Sequence, residues 1–262
     1  SLIDAPASPE RGGWLLQGID ILLAHGVSVE TSFGLLRATD SESYAWLCHE
    51  AITTSDALIT PRYTESTDGV LLGVVPILEQ ARESGVALYR TEDGCDWTPA
   101  SGLDGLTLTD AIFDPADPTR AWVITADLTD GVDNHILRST DGGQSFSTTL
   151  TASQRLFRTV AVSPAGAVWA SAVWYDDGTG SVYHSTDGET FTEAAVPMPD
   201  LDDPVDVDIV AVSPDDPLTA WVVVGPYGGD ALLHTTDGGQ SFTEVFSTCL
   251  LYTSPSPRDR YG

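Results

Sequence analysis

The sequence predicts an all-β fold, a β-propeller made of four-stranded blades. Two different sequence patterns recur along the chain with one shared period of about 50 residues. Between them lie short segments rich in Val, Leu, Ile and Trp, bounded by Gly, Pro and Asp. Four such strands in each unit of about 50 residues are typical of a propeller blade.

The first pattern is a turn, seen most fully in residues 139–146 as Ser-Thr-Asp-Gly-Gly-Gln-Ser-Phe. Its Asp recurs as Asp40, Asp93, Asp141, Asp187 and Asp237. An aromatic residue follows shortly after each Asp, at Trp46, Trp97, Phe146, Phe191 and Phe242. Three residues before each Asp stands Arg37, Arg90, Arg138, His184 or His234.

The second pattern lies upstream of each turn. Residues 56–61 match residues 110–115, and residues 161–164 match residues 211–214. A chance turn would not bring its own upstream strand, so two registers at one period indicate a repeat architecture. A helical reading fails, because apolar runs such as residues 221–224 are short and rich in β-branched residues.

About five blades are expected, as part of a six- or seven-bladed propeller. The expected blades are residues 1–51, 52–103, 104–153, 154–197 and 198–248. Residues 249–259 resemble the translation of a transposase-based sequencing adapter, so residues 249–262 are expected to be an artefactual tail outside the fold. The chain starts at Ser1 inside a repeat, and any signal peptide is expected upstream of it.

The turns resemble the Asp box, or bacterial neuraminidase repeat, with the pattern Ser/Thr-x-Asp-x-Gly-x-Thr-Trp. This repeat occurs in sialidases, sortilin-like receptors, xyloglucanases and photosystem assembly factors. The resemblance covers nearly all of residues 1–248; the turns at Asp93 and Asp187 are one residue shorter, and the turn at Asp40 lacks its Gly.

In that family the box joins the third and fourth strands of a blade and has a structural role. The resemblance therefore implies that the five Asp, their aromatic partners and the preceding Arg or His are structural. Elementary chemistry agrees, because Asp accepts hydrogen bonds from N–H groups of its own turn and Gly supplies a positive φ. His184 and His234 are then repeat positions rather than a metal or catalytic pair.

The charge of the chain excludes some partners. The formal net charge is −28, and all eleven basic residues are Arg. Such a surface repels nucleic acid and anionic lipid, so we expect no nucleic-acid partner. No apolar stretch approaches the roughly 18 residues of a membrane-spanning helix, so we expect no membrane span.

Cys48 and Cys95 lie two residues from Trp46 and Trp97, at similar heights in successive blades. Two readings stay open: a disulfide between neighbouring blades, or two buried free thiols. A disulfide would indicate an oxidising compartment, in keeping with an extracellular or periplasmic location.

Ligand sites of propellers usually lie at the channel mouth, on the face opposite the turns. The candidate binding residues at the channel mouth are Arg62 and, near the starts of the innermost strands, Asp56, Asp110, Arg158 and Asp208. The candidates in the acidic loops of the same face are Asp130, Asp133, Asp176 and Asp177. These carboxylates could bind Ca²⁺ or a cationic partner, or only solvate an acidic surface, and no other cofactor is expected.

Two functions remain open. The first is a non-catalytic secreted or periplasmic propeller, a scaffold or recognition module for protein or glycan, favoured because every recognisable motif is structural. The second is a glycoside hydrolase, sialidase-like or xyloglucanase-like, with its catalytic motif degenerate or lost by truncation. A sialidase-like site implies three convergent Arg, for which Arg62, Arg155 and Arg158 are the candidates. A xyloglucanase-like site implies two opposed carboxylates, and no pair stands out.

Overall fold

A computed structural model describes ten parts of the chain. Of residues 15–17, 35–38 and 44–46 it describes the backbone alone. The described residues are 15–17, 35–38, 44–48, 52, 62–74, 88–129, 131–174, 179–197, 206–225 and 231–247. They form strands and turns, and among them no helix is long and apolar enough to cross a bilayer.

The strands form five separate antiparallel sheets. The first sheet contains β1 (Leu15–Gln17), β2 (Leu35–Ala38) and β3 (Tyr44–Leu47). The second contains β4 (Arg62–Glu65), β5 (Leu71–Val74), β6 (Leu88–Thr91) and β7 (Thr98–Pro99). The third contains β8 (Leu108–Phe113), β9 (Ala121–Thr125), β10 (Asp133–Ser139) and β11 (Ser147–Ser153). The fourth contains β12 (Arg155–Val162), β13 (Val168–Trp174), β14 (Gly180–Ser185) and β15 (Thr192–Val196). The fifth contains β16 (Asp206–Val212), β17 (Ala220–Gly225), β18 (Ala231–Thr235) and β19 (Thr243–Ser247).

The order of strands in each sheet follows the order of the sequence. The first strands of successive four-stranded sheets, β4, β8, β12 and β16, contact one another and are the innermost strands. This radial arrangement of meanders confirms the predicted β-propeller. Each sheet lies within one of the expected blades.

The hydrophobic core lies between the sheets. Trp122 on β9 and Trp169 on β13 are fully buried, and every residue of β9 and β14 is buried. Both faces of these middle strands are covered by neighbouring sheets, which explains the nearly unbroken apolar sequence of β9, Ala-Trp-Val-Ile-Thr.

The second sheet departs from the expected register. The sequence match placed its innermost strand at residues 56–60, before Pro61, whereas the structure places β4 after Pro61, beginning at Arg62. The hairpin is short because Ser66 caps it, accepting the Val70 N–H on its Oγ at 2.9 Å. Asp56 lies outside the described residues, as do Asp40, the side chain of Trp46 and residues 249–262.

The third and fourth strands of the four-stranded sheets are joined by the repeat turns (residues 91–97, 139–146, 185–191 and 235–242). In residues 139–146, Asp141 Oδ1 accepts the N–H groups of Gln144 and Ser145, each at 3.0 Å. The Ser139 hydroxyl donates to the same oxygen at 2.7 Å and accepts the Gly143 N–H at 2.9 Å. Asp93, Asp187 and Asp237 accept equivalent bonds in their own turns.

The aromatic residue of each repeat turn packs into the core beside it. Phe146 is buried, and Phe191 and Phe242 are partly buried against the cores next to them. Trp97 packs with Tyr63, with the ring centroids 5.9 Å apart. The aromatic side chains thus hold the turns on the sheets.

A disulfide joins Cys48 of the first sheet to Cys95 in the repeat turn of the second. The Cα atoms are 4.5 Å apart, and the Cys48 N–H donates to Gly94 O at 2.9 Å. Both cysteines are exposed, so the reading of two buried free thiols is wrong.

Candidate functional site

The innermost strands of the four-stranded sheets converge on one cavity of about 820 Å³. Each of the four four-stranded sheets contributes one charged lining residue: Arg62, Asp127, Arg158 and Asp208. The cavity lies where β8 begins and β9 ends, at Leu108 and Ala126. The repeat turns lie at the other end of the strands, where the Gly142 N–H donates to Thr119 O in the β8–β9 turn. The cavity is therefore on the face opposite the repeat turns.

Two guanidinium groups are accessible in this cavity. The Arg62 side chain is 58% exposed and its Nη1 lies 3.9 Å from Asp110 Oδ1. The Arg158 side chain is 41% exposed and its Nη2 lies 3.1 Å from Asp206 Oδ1. Ion pairs this exposed contribute little to stability, so both groups are available to a ligand.

Two carboxyl groups beside these arginines have raised pKa values. Burial is the main cause of the raised pKa of Asp110, which the N–H of Val160 and the charge of Arg62 only partly offset. Burial also raises the pKa of Asp208, against the lowering effect of Arg158. The charge of Asp208 itself raises the pKa of Asp110, so the two carboxyls act on each other. Asp208 lines the cavity, and a perturbed carboxyl in a cavity is typical of functional sites.

Asp110 also has a structural role. Its Oδ2 accepts the Val160 N–H of the next sheet at 3.1 Å. Thr159 Oγ1 does the same for the Ile209 N–H at 2.8 Å, one sheet further on. Asp110 is therefore a link between innermost strands as well as a member of the charged cluster.

Of the other predicted binding residues, the structure describes Asp133, which lies apart from this cluster. Asp133 begins β10, is exposed, and accepts a hydrogen bond from the Ser153 hydroxyl on β11. Asp130, Asp176 and Asp177 lie outside the described residues. The predicted residues that the structure brings together are thus Arg62, Asp110, Arg158 and Asp208.

The three arginines of a sialidase-like site are not assembled. Arg62 and Arg158 line the same cavity, but Arg155 stacks on Trp174, with its guanidinium 3.9 Å from the ring centroid. Arg155 Nη2 also lies 2.6 Å from Glu193 Oε1 on β15. It therefore lies on the outer side of the fourth sheet.

Two exposed apolar side chains also line the cavity, and the sequence did not predict them there. Leu128 is 64% exposed and Val210 is 55% exposed. The register of β16 against β17 shifts between Ile209 and Ala211, so Val210 leaves the strand pattern there. The sequence of β16 gives no sign of this bulge.

Metal ligation is a separate question. Among the described residues, no group of three or more His, Cys, Asp or Glu side chains could hold a metal ion. The His184 ring packs at a tilt against Trp169, with centroids 4.4 Å apart, and His234 stacks on Trp221, with centroids 4.8 Å apart. Calcium binding by the acidic loops stays a prediction, because Asp130, Asp176 and Asp177 lie outside the described residues.

Comparison with known proteins places the chain at the level of its fold. No protein-family model matches it, and neither does any curated protein. A GH74 enzyme of Niastella koreensis superposes with a TM-score of 0.58 at 19% identity, over 81% of this chain and 34% of that one. The GH74 xyloglucanase of Xanthomonas campestris gives a TM-score of 0.55 at 18% identity, over 81% and 34%.

A third similar structure is an oligogalacturonate lyase in complex with manganese. Its TM-score is 0.53 at 11% identity, over 82% of this chain and 59% of that one. The chain spans about a third of the length of the two GH74 enzymes. At these identities the similarity shows the fold alone.

Proposed function

We propose that this propeller is a non-catalytic recognition module that binds a glycan or a protein segment in the channel-mouth cavity. The observation that carries the proposal is the convergence of Arg62, Asp127, Arg158 and Asp208, from four separate sheets, on one cavity. Folding does not require exposed charges at this point, since neither Arg62 nor Arg158 is held in a buried ion pair.

The lining suits a polar ligand with some apolar surface. The guanidinium groups donate hydrogen bonds and the carboxylates accept them, which are the two contacts that sugar hydroxyls and peptide groups need. Leu128 and Val210 add exposed apolar surface beside these groups. A mixed lining of this kind is usual for a ligand site.

The repeat turns support the proposal that the ligand binds on the cavity face, because they serve the structure of the opposite face. Their Asp side chains are satisfied inside their own turns, on the face away from the cavity. This is the structural role expected of Asp boxes, and we propose that the chain is a member of that repeat family. We also propose an extracellular or periplasmic location, supported by the disulfide, because disulfides persist in oxidising compartments.

Titration calorimetry tests the binding proposal, with xyloglucan oligosaccharides and a peptide library as probes. Arg158→Ala should weaken binding of a probe that binds the wild type by about tenfold, the loss of one charge-assisted hydrogen bond. Arg155→Ala is the matched control, since it removes the same residue type outside the cavity. Equal affinities of the two variants would place the ligand elsewhere.

A glycoside hydrolase is the second candidate, and the raised pKa values of Asp110 and Asp208 favour it. A carboxyl that stays protonated can donate a proton to a glycosidic oxygen, while a second carboxylate acts as base or nucleophile. The fold-level similarity to GH74 enzymes is in keeping with this candidate but does not identify a substrate.

The two candidates differ in turnover. A hydrolase would release reducing ends from xyloglucan, and Asp208→Asn would abolish that release. Asp133→Asn is the matched control, because Asp133 lies away from the cavity. Binding with no release of reducing ends supports the recognition module.

A further inference from the structure

Successive sheets are held together by a recurring contact with two halves. In the first half, a glycine of each repeat turn lies flat against the sheet before it. A Cβ added at Gly188 would lie 2.5 Å from Trp122 Cζ2. The corresponding distances are 2.8 Å from Gly143 to Leu72 Cδ2 and 2.8 Å from Gly239 to Val182 Cγ2.

The second half is a hydrogen bond in the opposite direction. The Arg or His that precedes the turn Asp of the second, third and fourth sheets reaches the sheet that follows. Arg90 Nε donates to Gly142 O at 2.8 Å, and His184 Nε2 donates to Pro217 O at 3.0 Å. Arg138 pairs with Glu189 in the next repeat turn. The second, third and fourth sheets thus each offer one side chain to the sheet that follows.

The fifth sheet presents the same residues with nothing against them in the described part of the chain. Trp221 and Leu232 are partly exposed. The equivalent tryptophans, Trp122 and Trp169, are fully buried, as are the residues equivalent to Leu232: Leu88, Ile136 and Val182. His234 Nε2 is buried and has no hydrogen-bond partner among the described residues, whereas the equivalent His184 bonds to the following sheet.

We propose that this face of the fifth sheet (Trp221, Val223, Leu232 and His234, hereafter the fifth-sheet face) docks a further four-stranded blade whose repeat turn carries glycine. The turn glycine would lie on Trp221 and Leu232, and a carbonyl of the incoming blade would accept the His234 Nε2–H. The proposal follows from the three equivalent contacts already present between the sheets, and it does not depend on the ligand of the cavity.

A second copy of this chain fits the face less well. The repeat turns at Asp93, Asp141, Asp187 and Asp237 already contact the sheet before them, and the remaining repeat turn of the sequence is the one at Asp40. That turn has Ser41 and Glu42 where the third blade has Gly142 and Gly143. Glu42 takes the position of Gly143, where an added Cβ would lie 2.8 Å from Leu72 Cδ2 of the preceding sheet. The occupant is therefore a blade with a glycine turn.

An added blade tests the proposal directly. The full chain is extended after Ser247 by a second copy of residues 198–247, and its thermal unfolding is compared with that of the chain as it stands. Neighbouring repeats stabilise each other through their interfaces, so Tm should rise by about 4 °C or more. Quenching of Trp221 fluorescence by acrylamide should fall.

The matched control carries Gly239→Val in the added copy alone, which should cancel the gain in Tm. Independently, His234→Ala in the original fifth sheet should lower Tm more in the extended chain than in the unextended chain, where His234 stacks on Trp221 alone. An added copy that stays protease-sensitive, or an equal Tm for the glycine and valine forms, overturns the proposal. So does a dimer of the unextended chain that Trp221→Glu dissociates, since a second copy would then cover the face.

Discussion

Gly188 lies against the indole ring of Trp122, and the two residues also share a hydrogen bond. Trp122 Nε1 donates to Gly188 O at 3.1 Å, and a Cβ at position 188 would lie 2.5 Å from Trp122 Cζ2. Gly188 has φ +71°, a region that residues with a side chain rarely adopt. The turn of the fourth sheet can therefore approach the third sheet this closely only with glycine at this position.

Gly188→Ala should destabilise the protein by about 3 kcal/mol, because the methyl group both overpacks the Trp122 contact and strains the turn. Urea unfolding at pH 7 measures the change. Gly166→Ala is the matched control: Gly166 also has a positive φ, +92°, but nothing lies within 4 Å of an added Cβ. It should cost only about 1 kcal/mol, the backbone strain alone. Equal losses in the two variants would contradict a role for the tryptophan contact.

The Gly188–Trp122 contact illustrates why some features of the fold could be predicted from the sequence. The turn Asp, Gly and aromatic residues each satisfy a local requirement that recurs in the four-stranded sheets, so their period is visible in the sequence. The propeller and the face that holds the cavity follow from that period. The channel-mouth cluster of Arg62, Asp110, Arg158 and Asp208 was predicted only in outline, as charges near the starts of innermost strands.

Other features depend on contacts that no period reveals. The second sheet begins at Arg62, after Pro61, where the matching segments led us to expect a strand before the proline. Bulges on β8, β12 and β16 decide which side chains face the cavity, and they differ from sheet to sheet. Arg155 and Arg158 are close in sequence, yet Arg155 packs on Trp174 while Arg158 reaches the cavity.

The turn carboxylates should make the protein sensitive to acid. The N–H groups of Thr190 and Glu189 hold the pKa of Asp187 below its usual range. Hydrogen bonds from Asp96 and Cys95 do the same for Asp93, and bonds from Ser241 for Asp237. A carboxyl whose folded pKa is lowered contributes stability above its unfolded pKa of about 3.9, and this is lost as the pH falls through the lower folded value.

Asp187→Asn should therefore lower the urea midpoint at pH 7, and the difference from the wild type should shrink as the pH falls below about 4. Urea unfolding at pH 7 and pH 3 checks this. Asp104→Asn, at an exposed position outside the repeat turns, should leave the midpoint at pH 7 unchanged. A constant difference between Asp187→Asn and the wild type at both pH values would mean that the charge of Asp187 is not involved.

The disulfide should hold the first sheet on the second. Cys48 and Cys95 are 47 residues apart, and closing a loop of that length in the unfolded chain stabilises the folded state by about 4 kcal/mol in the chain-entropy account. The Cys48→Ser/Cys95→Ser double variant should lose roughly that amount in urea unfolding. Reductant should lower the midpoint of the wild type and leave that of the double variant unchanged. If the wild type does not respond to reductant, the bond contributes nothing.

The charged side chain of Asp208 should lower the stability of the folded protein at pH 7. Its pKa is raised, chiefly by burial, so its charged form is less favourable in the folded state than in the unfolded chain. For such a group the stabilising contribution is present below the unfolded pKa and is lost as the pH rises through the folded value. Asp208→Asn should thus raise the stability at pH 7, by less than about 1 kcal/mol because the group is partly exposed and interacts with Arg158.

The gain from Asp208→Asn should disappear at pH 3, where the wild-type carboxyl is protonated in both states. Thermal unfolding at the two pH values measures it, with Asp133→Asn as the matched variant outside the cavity. A variant that is more stable at pH 7 but binds its ligand more weakly would show that Asp208 is kept for binding at the expense of stability. A loss of stability at pH 7 would instead show that the attraction between Arg158 and Asp208 exceeds the cost of burying Asp208. Asp208 would then be a structural residue.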